Sequence, residues 1–179
     1  SSLVYGEETV APVVDLDASQ YIGRWYQMYA SASVKYTFQL GGNCVTADYD
    51  KTNASNVISV VNKVRPLGHE VVVAGYGVQE PETNGSFDVV LGPSADPADP
   101  QDFDESNYWV IGLGPVNGDG MYDWAAVSDP TLKTLYVLAR DVDTFREDYE
   151  EDVLATLDAQ GFTGFLTKPL ETNQDNCAY

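Results

Sequence analysis

The sequence predicts an all-β chain. Eight short antiparallel strands close into an up-and-down barrel, and one C-terminal α-helix packs on the wall. Three observations carry that expectation. Runs rich in Val, Ile, Tyr and Phe alternate with turn clusters at short, regular spacing between residues 23 and 140. A single amphipathic stripe follows them. The 179 residues, 44% hydrophobic and 12% aromatic, are enough for one ordinary domain with a real core.

The strands are expected at 23–29, 44–50, 57–64, 70–78, 86–91, 108–113, 122–128 and 133–140. Turn residues close them: an Asn- and Ser-containing turn at 52–56, Pro66 with Gly68, and Pro81 with Asn84-Gly85. Two longer loops interrupt the hairpin order, at 31–43 and 93–107. The second carries Asp96, Asp99, Asp102, Asp104 and Glu105 with three prolines. Loops of this length are often lids or binding loops. The barrel is placed at about 21–140, the helix at about 143–160 and a tail at 161–179. Phe145, Tyr149, Val153 and Leu157 form the helix stripe. Thr144 with Glu147 has capping-box spacing, and Gly161 stands at the expected stop. Glu147, Asp148, Glu150, Glu151 and Asp152 are read as a solvated face. Closure removes the exposed edges of a long β-meander and leaves room for one small ligand.

Nine basic and 28 acidic side chains give a formal charge of −19. That excludes non-specific nucleic-acid binding and disfavours anionic membranes. Residues 66–132 contain no Lys or Arg but twelve acids. Solubility explains this, or a barrier against anionic ligands. No apolar run approaches the ~18 residues of a transmembrane segment. The chain opens on Ser1 without Met, so a leader is expected to have been removed or the chain trimmed. Cys44 and Cys177 fit one disulfide tying the tail to the body, the alternative being two buried thiols. No CxxC or Cys/His cluster is present, so no metal site is expected. Asn53-Ala54-Ser55 and Asn84-Gly85-Ser86 are N-glycosylation sequons. With the cysteines, they favour a secreted, extracellular protein.

From Tyr21 to Cys177 the sequence resembles the lipocalin family, within it the apolipoprotein D-like and bacterial branch. The motifs are Tyr21-Ile22-Gly23-Arg24-Trp25-Tyr26, Trp124-Ala125-Ala126-Val127-Ser128-Asp129-Pro130, the segment 133–140 ending in Arg140, and the tail Thr172-Asn173-Gln174-Asp175-Asn176-Cys177. The resemblance implies that Trp25 and Arg140 meet at the closed end as a structural cation–π pair. It implies that the loops after strands one, three, five and seven form the mouth, which places the acidic 93–107 loop there and both sequons at the closed end. His69, in the loop after strand three, is expected to be solvated. The family's Asp before strand seven is displaced here, and either Asp119 or Asp123 takes its place.

Strand parity then assigns the cavity, starting from the inward Trp25 and Arg140. It gives Gln27 and Tyr29 on strand one, and Leu138 with Tyr136 on strand eight. Tyr49 and Asn62 fall where related lipocalins line their cavities, and parity adds Ala47, Val60 and Val64. Val73, Gly75 and Gly77 follow on strand four, then Phe87, Val89 and Leu91, then Tyr108 and Val110. Trp109 packs outward against the helix.

This apolar, aromatic lining is the usual make-up of a small-molecule site. The expected function is a carrier of one small lipophilic ligand. The classes implied by the resemblance are a tetrapyrrole, a carotenoid or retinoid, a sterol or a fatty acid. No cofactor is required beyond such a bound chromophore or lipid. The acidic mouth is read as mildly unfavourable to free fatty acids. One alternative is an enzyme on the same scaffold, but the family's prostaglandin synthase uses a free thiol, and pairing Cys44 with Cys177 leaves none. The other is an acidic calcium-binding protein, although no Asp-x-Asp-x-Asp-Gly loop is present. The ligand's identity and the oligomeric state are not encoded in any motif.

Overall fold

A computed structural model describes residues 9–39, 41–101 and 105–179. Eight antiparallel strands close into a barrel: β1 (Gly23–Ser31), β2 (Asn43–Lys51), β3 (Val57–Arg65), β4 (Val71–Gln79), β5 (Ser86–Leu91), β6 (Tyr108–Leu113), β7 (Trp124–Ser128) and β8 (Leu135–Ala139). Each strand pairs with the next, and β1 closes the barrel against both β8 and β2. Trp25 lies opposite Ala47, and Gln27 opposite Leu138. The seventh and eighth strands are shorter than expected: Tyr122 makes only an isolated bridge to Val116, and residues 133–134 precede the β7–β8 ladder.

The alternating pattern builds two cores. The inner one contains Trp25, Ala47, Tyr49, Val60, Phe87, Val110, Val127 and Leu138. The outer one joins the wall to the helix through Met28, Ile111, Val137, Phe145, Val153 and Leu157, with Trp109 and Trp124 packed against it. Trp109 therefore faces outward, as parity requires.

The helix differs at its start. Asp141, still extended, accepts from the Thr144 N–H at 2.8 Å. It caps a first turn at Val142–Thr144, replacing the expected Thr144/Glu147 box. The chain leaves β8 at Ala139, and Asp141 is the first side chain beyond Arg140 that can turn back onto it. A π turn (Phe145–Tyr149) leads into the α-helix Glu150–Ala159. Gly161, at φ +95°, ends it in a Schellman motif. Its amide and that of Phe162 donate to the Asp158 and Leu157 carbonyls. The acidic face is not wholly solvated, since Glu150 accepts from the Tyr29 hydroxyl at 2.7 Å.

The tail does more than hang from its disulfide. Cys44 and Cys177 are bonded. A ninth strand, β9 (Pro169–Glu171), pairs with the mouth half of β1. Beyond it the Cys44 amide donates to Asn173 O, so the tail fills the gap where β1 and β2 diverge. Gln174 bridges that seam by donating to the carbonyls of Gln27 and Val45.

Candidate functional site

The closed end is built first. Arg140 lies 3.8 Å from the Trp25 ring centroid. Its guanidinium donates to the carbonyls of Tyr122, Arg24 and Gln20, each at 3.1 Å. Burial lowers the Arg140 pKa to about 10, so it remains cationic at neutral pH. Of the two acids left open by sequence, Asp123 takes the structural role. It accepts from Tyr149 on the helix and from Asn117, whereas Asp119 stays exposed in its turn.

Above this pair sits a cluster that parity did not reveal in full. Tyr21 ends a short helix, α1 (Ala18–Tyr21), capped by Asp17, and its ring enters the barrel. It stacks on Tyr49 with centroids 5.5 Å apart. Its hydroxyl meets that of Tyr108 at 2.6 Å, and Tyr108 meets Tyr49 at 3.0 Å. Phe87 stands edge-on to Tyr108. The sequence signal for Tyr21 was its place at the head of the Tyr21–Tyr26 motif, where its carbonyl accepts the Trp25 indole N–H at 2.8 Å.

Burial pushes all three phenols up, Tyr49 to about 12. Their folded values exceed the ordinary value near 10, so their stabilisation is complete below about pH 10 and is lost as pH rises through the folded values. Each phenol removes about 1.4 kcal/mol per pH unit in that window. An alkaline titration followed by phenolate absorbance and circular dichroism is expected to show these three ionising only together with unfolding. All twelve tyrosines titrating while the fold stays native would contradict it.

The mouth half is different: it is open. Val71, Val73 and Leu91 point inward by register yet are 43%, 36% and 44% exposed. Asn62, Val64, Val89 and Tyr136 are half-buried on the same inner surface. The sequence-assigned residues therefore divide. Ala47, Tyr49, Val60, Phe87, Tyr108, Val110 and Leu138 form or support the floor. Asn62, Val64, Val73, Val89, Leu91 and Tyr136 line an open cup. Gly75 admits the β5 backbone, since a Cβ there would lie 1.9 Å from Val90 O.

Two assigned residues behave otherwise. Tyr29 points out of the barrel, against the expectation. A bulge between Gln27 and Tyr29 shifts the alternation by one, so Met28 and Tyr29 both face the helix. Gln27 does point inward, but its amide is already engaged. It exchanges two hydrogen bonds, of 2.9 and 2.7 Å, with Gln39 from the β1–β2 loop, and also donates to Thr172. Gln39 had no sequence signal, being an isolated amide in a loop.

The mouth's electrostatics also differ from expectation. The described part of the acidic loop, residues 93–101, leaves β5 at the mouth but folds onto the outer wall. Tyr76, Val57 and Val78 form an apolar patch there, and Ala95 and Val90 cover it. The Gln101 amide donates to the Tyr76 hydroxyl at 2.8 Å. Asp96 and Asp99 are carried down with it, while Asp102 and Asp104 lie outside the described residues. Lys35, Lys63, Arg65, Lys133 and Lys168 stand at the mouth end instead, set there by strand direction. His69 is exposed in the β3–β4 loop.

Both cysteines are spent in the disulfide, so no thiol faces the cup. Among the described residues no three His, Cys, Asp or Glu side chains are grouped to hold a metal ion. Among the same residues no helix is long and apolar enough to cross a membrane. A groove of about 680 Å³ lies outside the closed end, between α1 and the β2–β3 turn. Asn84 lines it, and Asn53 is exposed in the adjacent turn.

Comparison with known proteins agrees with this architecture. Residues 16–174 match the family model described as a lipocalin-like domain. The chain is 33% identical over 120 residues to the Lazarillo protein of Schistocerca americana, covering 65% of this chain and 50% of that one. It thus spans about half the length of that relative. Among solved structures, insecticyanin from the tobacco hornworm Manduca sexta superposes with a TM-score of 0.60 at 17% identity, covering 94% of this chain and 86% of that one. The tryptamine complex of the amine-binding protein of Rhodnius prolixus gives 0.57 at 20% identity, covering 92% and 84%.

Proposed function

Because the chain belongs to the lipocalin family, we propose that it is an extracellular carrier holding one small lipophilic molecule in the mouth half of its barrel. The observation that carries the reading is the division of the interior. The lower half is packed by Tyr21, Tyr49, Phe87 and Tyr108, while the inward Val71, Val73 and Leu91 above them remain in contact with solvent. An apolar surface kept open at that cost has an occupant to gain. The polar groups on the cup, Asn62 and the Tyr136 hydroxyl, orient a ligand without demanding a charge. The amine-binding protein of Rhodnius prolixus, which shares this fold, is seen in complex with one small aromatic molecule, tryptamine. The ligand classes remain a tetrapyrrole, a carotenoid or retinoid, a sterol or a fatty acid. With Asp96 and Asp99 on the outer wall and lysines at the rim, a carboxylate end is less disfavoured than the sequence suggested. The disulfide and the two sequons at the closed end support an extracellular setting, where glycans would not obstruct entry.

Purified protein tests this directly. A visible absorption band would select a pigment, and native mass spectrometry would identify a colourless lipid. Val73→Lys is expected to weaken binding of that molecule about tenfold, equivalent to about 1.4 kcal/mol, and to leave the melting temperature unchanged. Its side chain is already part-exposed, so the fold tolerates the change. A protein that carries nothing and binds none of these classes would refute the carrier reading.

A further inference from the structure

We propose that the mouth end docks on the surface of a zwitterionic phospholipid bilayer, so that the cup opens onto the lipid. The first observation is a crown of exposed apolar side chains. Tyr36 (67%), Phe38 (73%), Leu67 (97%), Phe165 (81%) and Leu166 (58%) all stand at this end. They come from three separate segments that touch one another. The Ser33 amide donates to Leu166 O, joining the post-helix turn to the β1–β2 loop. Gly42 of that loop packs against Val64 and Pro66, which joins it to the turn carrying Leu67. Single exposed hydrophobic residues are ordinary, but five large ones on touching segments at one end mark a contact surface.

The second observation is backbone strain in the same place. Leu67 has φ +50°, a left-handed conformation unfavourable for a branched side chain, and Gly68 follows at φ +81°. The β3–β4 turn therefore holds Leu67 outward at a backbone cost that its almost complete exposure does not repay within the folded chain.

The third observation is charge, and it selects the occupant. The chain carries nine Lys and Arg, and five of them, Lys35, Lys63, Arg65, Lys133 and Lys168, stand at this end. Glu70 is paired with Arg65, and Asp129 is tied into its own loop by Thr131 and Thr134. A second copy docked mouth to mouth would oppose the two sets of cations. A phospholipid surface presents phosphates at the depth where lysines flanking apolar tips can reach. The formal charge of −19 acts at longer range against an anionic membrane, so a zwitterionic surface is the fitting one.

Flotation with phosphatidylcholine vesicles tests this without reference to the bound ligand, so it can fail or succeed independently of the carrier reading. The wild-type protein is expected to float with the vesicles. Leu67→Asp combined with Phe165→Ser is expected to cut the floated fraction about tenfold, with an unchanged thermal melt. Val14→Asp, at an exposed apolar residue in the amino-terminal segment, is expected to leave flotation intact. In a second measurement, Leu67→Trp is expected to shift its emission to the blue on adding vesicles and to be quenched by brominated lipid. The proposal is overturned if wild-type protein does not float, or if the rim substitutions leave flotation unchanged. It is also overturned if sedimentation shows a dimer that the rim substitutions dissolve, with no vesicle binding.

Discussion

Replacing Cys44 and Cys177 together by alanine is expected to lower the unfolding free energy by about 4–5 kcal/mol. The bond joins residues 133 positions apart, so it constrains a very long loop of the unfolded chain. The native state adds a local reason. The tail is barrel wall: β9 pairs with β1, and the Cys44 amide donates to Asn173 O across the seam. Gln174 and Thr172 then hold Gln27 and, through it, Gln39 of the mouth loop. Without the bond these contacts must retain the tail unaided. Urea denaturation measures the loss. Hydrogen exchange is expected to show residues 169–177 and the mouth half of β1 opening before the rest of the barrel. A loss below about 1 kcal/mol, or uniform protection in the variant, would contradict this account.

Arg140→Ala is expected to cost about 3–5 kcal/mol. The substitution strips donors from three carbonyls, those of Gln20, Arg24 and Tyr122, and uncovers the face of Trp25. Gln20 lies in α1, Arg24 at the start of β1 and Tyr122 just before β7, so one side chain ties the α1–β1 stretch to the entry of β7 at the closed end. Arg140→Lys keeps the charge but not the planar fork. An ammonium cannot reach all three acceptors, and about half the loss is expected to remain. If alanine and lysine were equally destabilising, the charge over the indole would contribute nothing. If both were neutral, the closed end would be held by packing alone.

Much of this was legible in the sequence because strand alternation is local. Once the resemblance supplies an inward residue, as Trp25, Tyr49, Asn62 and Arg140 do on their strands, a period of two assigns Gln27, Ala47, Val60 and Leu138 from it without knowledge of cross-strand partners. The helix stripe and its glycine stop are equally local. The failures share a cause. The bulge after Gln27 turned Tyr29 outward, and a bulge answers to the twist between β1 and β8 rather than to its own residues. The acidic loop was placed over the mouth because its ends begin there. Its path follows Tyr76, an outward aromatic on β4 whose need for cover only the assembled wall reveals.

Periodicity by itself pointed to an all-β barrel with one helix, the two cysteines to one disulfide, and the resemblance carried by Trp25 and Arg140 to which strand faces look inward. Tertiary structure alone decided that the lower barrel is sealed by three linked phenols, that a tail strand completes the wall, and that the mouth carries lysines and apolar tips. The physical reason is range. Periodicity is set by neighbours two to four residues apart. Hydrogen bonds such as Tyr21 to Tyr108 and Gln27 to Thr172 join residues 87 and 145 positions apart, and no local pattern specifies them.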